Sequence, residues 1–281
     1  MCCNLLHINS KKCCYMYFPP TRKDRETDDS EEEDVLLLNG VVIKRVTEVK
    51  FLGVIIDDKL CWLPHTKSLN TKLRSCCGRL YRLKTALPES MYKEIYHTLF
   101  ESHLAYGISV WGGISKNRKQ PLFVTQKKCI RIMFGDTEAY LDKFRTCARI
   151  REYGSQILGQ EFFEREHSKP LFTQYSLLTV HNLHRYHCIL ETYKIIKLRT
   201  PISIYGTFLR STRRDCRLTP PTPSCNFTYT AASLWNAFQQ SARIEDFTVP
   251  IGSLKRSLKY CLLAAQGRYG FNWCDLNFSE F

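Results

Sequence analysis

Residues 46–62 read VTEVKFLGVIIDDKLCW, and the reading of this stretch decides the fold. Residues 49–56 are a near-continuous apolar run rich in β-branched side chains, which predicts a buried strand. Gly53 inside the run points to a bulge or to a close approach of another backbone. Asp57 and Asp58 end the strand, and from His65 onward the apolar period becomes helical. The stretch therefore joins a small β part to a large helical one.

Upstream, residues 13–18 (CCYMYF) are a strand candidate, preceded by a turn at 9–12 and ended by Pro19 and Pro20. Residues 22–34 hold eight acids against three bases and almost no apolar residue, so 21–34 reads as a disordered acidic surface loop. Two short apolar runs, 35–38 and 41–43, flank Asn39 and Gly40, a strong hairpin signal. This β part is too small to stand alone and reads as the edge of a larger sheet.

Downstream, Leu69, Leu73, Cys76, Leu80 and Leu83 recur at helical steps and define one apolar face. Lys72, Arg74, Arg79 and Arg82 fall largely off it. Pro88 is placed to open a second helix with Tyr92, Ile95, Leu99, Tyr106 and Val110 as its stripe. Pro121 is placed to open a third, with Leu122, Ile130 and Met133 inside and Gly135 at its end. Further helices are expected at 138–150, 152–166, 177–199, 227–239 and 253–265, with 205–226 as an extended Pro- and Arg-rich connection. The fold class is α+β: a small antiparallel sheet over 1–64, a helical unit over 65–135, and a mostly helical region over 136–281 with its connection at 201–226.

The chain has 281 residues and a formal charge of +14. Outside 22–34 the balance is 38 bases to 19 acids, and residues 65–135 carry 13 bases and three acids. Such a surface points to a polyanionic partner, most often nucleic acid. The 14 cysteines include no C-x-x-C, which fits free thiols in an intracellular protein, cytoplasmic or nuclear, better than a disulfide framework. No apolar run approaches the length of a membrane span, and residues 1–8 are too short for a secretory apolar region.

The Asp57–Asp58 pair invites a metal reading, since two-metal polymerases hold their cations with carboxylates at strand ends. That chemistry needs a further carboxylate from a separate strand, and no strand upstream supplies one. The pair reads instead as a strand end entering a turn. His181, His184 and His187, with Cys188, stand on one helix at steps of three, wind around it, and converge poorly on a tetrahedral ion. They read as a polar helix face, and no metal site is expected. The basic face of 65–135 is the best functional surface, with Tyr81, Tyr92 and Trp111 available to stack or to pack.

The order of these features resembles the end of the reverse transcriptase of non-LTR (LINE-like, jockey-type) retrotransposons. The residues that carry it are Asn9, Lys12, Asn39 and Gly40, Phe51-Leu52-Gly53-Val54, Asp57, Lys59-Leu60, Trp62 and His65. Further on, LAYGISVWG at 104–112, QKKCIR at 126–131, Leu234-Trp235-Asn236 and the basic segment 254–263 continue it. The resemblance implies that Lys12 follows the catalytic motif at the end of the palm, with Cys13 where the family has Thr or Ser. It implies that Phe51, Leu52 and Gly53 are a primer grip. It implies that 65–135 is a thumb holding an RNA–DNA or DNA template–primer through Lys72, Arg74, Arg79, Arg82, Lys127, Lys128 and Arg131. The family's aromatic-x-Asp-Asp motif would precede Asn9, where this sequence has eight residues and no acid. The expectation is a carboxy-terminal or truncated portion that binds nucleic acid and lacks polymerase activity alone. It needs no cofactor of its own, while the intact parent enzyme uses Mg²⁺ and dNTPs. The alternative is a non-functional relic or a helical protein-interaction module.

Overall fold

The computed structural model describes residues 9, 12–18, 36–38, 40–135, 168–208, 218, 227–242 and 247–268. The chain divides into two compact units, Met1–Ser68 and Leu69–Phe281. The predicted helices at 138–150 and 152–166 and the acidic run lie outside the described residues.

In the first unit, β1 (Cys14–Tyr15) pairs in parallel with β4 (Lys44–Arg45). Only two residues of the predicted strand 13–18 form a ladder, and Val46 N donates to Tyr15 O at 2.9 Å at its end. β2 (Leu37–Leu38) and β3 (Val41–Val42) form the expected antiparallel hairpin, and Gly40 takes a φ of 77°. The predicted strand at 49–56 is two strands. β5 (Glu48–Phe51) folds back on β6 (Val54–Asp57) through Leu52 and Gly53. Gly53 is therefore the second residue of a tight turn, not a bulge, and β5 is largely exposed. Both central residues have positive φ, the backbone that matches strand twist in a two-residue hairpin.

α1 (Leu63–Lys84) buries Leu69, Leu73, Cys76, Cys77 and Leu80, while Leu83 is exposed. The next helical run opens with a 3₁₀ turn at Glu89–Met91 after Pro88, continues as α2 (Tyr92–Tyr96), widens to a π turn at His97–Glu101, and closes as α3 (Ser102–Ala105). Gly107, at φ 62°, breaks it before α4 (Ile108–Trp111). The buried stripe is Tyr96, Phe100, Leu104, Ile108 and Trp111, out of register with the predicted one; Tyr106 and Val110 are exposed. The π turn explains the shift. Its i→i+5 bonding makes a wider turn, so steps of four stay on one face.

α5 (Lys116–Phe134) starts before Pro121, which lies inside it, and ends at Gly135. α6 (Lys169–Gln174) precedes α7 (Val180–Leu198). α7 is capped by Thr179, whose hydroxyl accepts from Asn182 N. α7 is buried at 180–184, 188–190, 192, 193 and 195, more than one face, so it is the central helix of the unit. α8 (Ile202–Phe208) is helical, which shortens the extended connection read from 205 onward. α9 (Phe227–Ala242) and α10 (Ile251–Arg268) complete the packing around α7. Trp235 stacks on Phe247 at 4.8 Å and lies 6.1 Å from Tyr193. The architecture is α+β, with small sheets and dominant helices.

Candidate nucleic-acid interface

The β5–β6 turn carries Phe51, Leu52 and Gly53 at its tip. Phe51 is 60% and Leu52 75% exposed, so the tip presents apolar side chains to solvent. Leu52 adopts φ 45°, a left-handed backbone that costs a non-glycine residue about 1–2 kcal/mol. Behind the tip, Asp57 Oδ1 accepts from Trp62 N (2.7 Å) and Oδ2 from Cys61 N (2.9 Å). Burial works against the charged carboxylate, but the hydrogen bonds from Cys61 and Trp62 outweigh it and leave the pKa below the ordinary 3.8. Both oxygens of Asp57 are thus committed to the turn. Among the described residues no group of three or more His, Cys, Asp or Glu is placed to hold a metal ion. The described residues around Asp57 do not fit a two-metal site. Lys12 is exposed, and its amide donates to Asn9 O at 3.0 Å.

In the second unit the bases sit opposite the buried faces. Lys72, Arg74, Arg79 and Arg82 are exposed along α1, whose core face is Leu73, Cys76, Cys77 and Leu80. Lys128 and Arg131 are exposed and Lys127 half-buried on α5, whose core face includes Leu122, Gln126, Cys129, Ile130 and Met133. The two helices are joined where Thr125 Oγ1 donates to Asn70 Oδ1 at 2.7 Å. Arg79 Nη2 donates to Cys76 Sγ (3.0 Å), and Lys127 Nζ stands 4.8 Å from the centre of the Phe123 ring. Lys119 points the other way: it is buried, and its pKa is pushed down to about 8 by burial and then by Arg185 and Lys116. Counting bases in 65–135 therefore overstates the outer charge by that lysine.

The three aromatics separate. Trp111 is fully buried and donates from Nε1 to Tyr106 O at 2.9 Å. Tyr92 is half-buried and bonds Lys84 O through its hydroxyl at 3.1 Å. Tyr81 is 67% exposed beside the arginines of α1. His181 and His184 are buried in α7, and His184 Nε2 lies 3.2 Å from Cys188 Sγ.

Several motif residues prove to be positioning groups. Gly112 faces His184: a Cβ there would stand 2.5 Å from His184 Cδ2 and 2.3 Å from Ile108 O. Gln126 is fully buried and bonds Tyr96 OH, Leu178 O and Val180 N. Asn236 donates to Leu218 O (2.6 Å) and accepts from Leu218 N (2.7 Å), anchoring that residue of the connection. Apolar periodicity reads such amides as surface; only a polar residue in phase with the buried stripe would have revealed them.

No family model matches the chain, and no solved structure matches it. Over 100 residues it is 26% identical to the probable RNA-directed DNA polymerase from transposon BS of Drosophila melanogaster. The match covers 34% of this chain and 11% of that protein's length. It supports a reverse-transcriptase-like, transposon-derived origin. No helix among the described residues is long and apolar enough to cross a membrane.

Proposed function

We propose that this chain corresponds to the carboxy-terminal part of a non-LTR retrotransposon reverse transcriptase and grips template–primer nucleic acid. The observation that carries the reading is the outward placement of Arg74, Arg79, Arg82, Lys128 and Arg131, with the half-buried Lys127 beside them, opposite the buried faces of two helices joined to each other. Lysine and arginine on such faces neutralise phosphates without reading sequence. The exposed Phe51-Leu52-Gly53 tip is the proposed primer contact, and its left-handed Leu52 is a strained backbone of the kind kept at binding sites. The similarity to a transposon polymerase supports the same reading.

Phosphate contacts release counterions, so affinity for a primer–template duplex is expected to fall steeply between low and moderate salt. A flat salt dependence in an anisotropy titration would refute the reading. Reversing charge at Arg74, Arg79, Arg82, Lys127 and Lys128 should abolish binding while the fold persists. Retained binding by that variant would place the interface elsewhere. Polymerisation is proposed to require carboxylates that these residues do not supply, since Asp57 is consumed by its turn. Incorporation of dNTPs with Mg²⁺ in a primer-extension assay on this chain would overturn that part.

A further inference from the structure

Gly78 lies in the middle of α1, where glycine costs about 1 kcal/mol relative to alanine. A Cβ built there meets nothing within 4 Å, so packing gives no reason for the missing side chain. Its helical neighbours at one turn are Arg74 and Arg82, with Tyr81 three residues on. At 3.6 residues per turn these four share an arc of roughly 100°. All four are exposed, Tyr81 at 67%. Among the described residues neither arginine enters an ion pair. Arg74 and Arg82 are about 12 Å apart along the axis, two turns with bare backbone midway.

We propose that a single strand of nucleic acid passes along α1 over Gly78, with its phosphates on Arg74 and Arg82 and an unpaired base against Tyr81. This rests on the nucleic-acid reading above and sharpens it. Glycine lets a sugar–phosphate backbone approach a helix more closely than any other residue. An exposed aromatic gains from stacking only where a base is unpaired, since a duplex hides the faces of its bases. The favoured ligand is therefore a single strand, or a duplex with a single-stranded overhang, over a blunt duplex.

The test uses the full chain, fluorescence anisotropy, and two probes: a short single-stranded DNA and a blunt duplex of the same sequence. Gly78→Ala should raise the thermal midpoint yet weaken single-strand binding by about three-fold, because the methyl group occupies the approach. Gly78→Leu should weaken it further. Tyr81→Ala should lose about ten-fold on the single strand, the scale of one base stack, and little on the duplex, while Tyr81→Phe binds as wild type. If both Gly78 variants and Tyr81→Ala bind the single strand like wild type while Arg74→Gln/Arg82→Gln weakens it, the path over Gly78 is wrong and the basic interface stands. If the wild-type chain shows no salt-dependent binding to either probe, both the interface and the path fall. Gly78→Ala keeps the test decisive should Gly78→Leu fail to fold.

Discussion

Gln126 and Gln266 hold the same four-residue segment from two sides. Gln126 accepts from Val180 N at 2.9 Å and donates to Leu178 O at 2.9 Å. Gln266 accepts from Thr179 N at 3.3 Å and donates to Leu177 O at 3.1 Å. Main-chain polar groups of successive residues in an extended chain point to opposite sides and those two apart share a side, so each glutamine takes the pair that a neighbouring strand would take. Both side chains are buried, and the segment leads directly into the Thr179 cap of α7.

Replacing either glutamine by leucine leaves two buried main-chain groups unsatisfied. Gln126→Leu and Gln266→Leu should each lower unfolding free energy by about 1–3 kcal/mol in urea titrations. Gln126→Glu should be no milder, since it substitutes a buried charge and removes the donor that meets Leu178 O and Tyr96 OH. Stability equal to wild type in these variants would contradict the arrangement.

His184 gives the second unit a pH dependence. Its pKa is driven down to about 3, first by burial and then by the positive charges of Lys119 and Arg185, with His181 and His187 adding to them. The folded pKa lies below the ordinary 6.5, so the unfolded chain binds the extra proton. Stability from this group is complete above pH 6.5 and drains as pH falls toward 3. Wild type should lose about 1 kcal/mol per pH unit from this histidine alone, with the half-buried His187 contributing in the same direction. His184→Gln should flatten the profile between pH 7 and 5; parallel profiles would show that His184 is not held neutral.

The adjacent glycines 112 and 113 should respond oppositely to alanine. At Gly112 the new methyl meets His184 and Ile108 O, and overpacking of this kind costs about 1–3 kcal/mol. At Gly113 it meets nothing within 4 Å. Gly113→Ala should be within about 0.5 kcal/mol of wild type or slightly more stable. Thermal unfolding of the two variants side by side decides it, and equal effects would contradict the packing of Gly112 on His184.

What the sequence made legible was local. Asn39-Gly40 announces its hairpin because turn chemistry is written in two residues. Leu73, Cys76 and Leu80 announce the inner face of α1 because a regular helix keeps its period. The stripe through Tyr96, Phe100 and Leu104 was misplaced because no residue there advertises a π turn. The turn at Leu52-Gly53 was hidden because Leu occupies a position that Asn usually fills, so the two strands read as one apolar run. The outward arginines of α1 followed from spacing alone, whereas the burial of Lys119, the pins at Gln126 and Asn236, and the contact of Gly112 with His184 depend on elements distant in sequence.

Leu52 separates stability from binding. Asn tolerates the left-handed region that Leu52 occupies and favours the first position of this turn, so Leu52→Asn should stabilise the hairpin by about 0.5–1 kcal/mol. The same change removes the most exposed apolar group of the tip, at 75%. If the tip contacts a primer end, affinity for a primer–template should fall as stability rises. Thermal unfolding and anisotropy on one preparation measure both. A stability loss would argue against the turn geometry, and unchanged affinity would remove the tip from the proposed interface. Phe51→Ala offers a control at the neighbouring position, because it deletes a side chain 60% exposed without touching either positive φ. It should weaken primer–template binding with little change in the hairpin. A matching affinity loss in both variants would then belong to the apolar tip and not to a rearranged backbone.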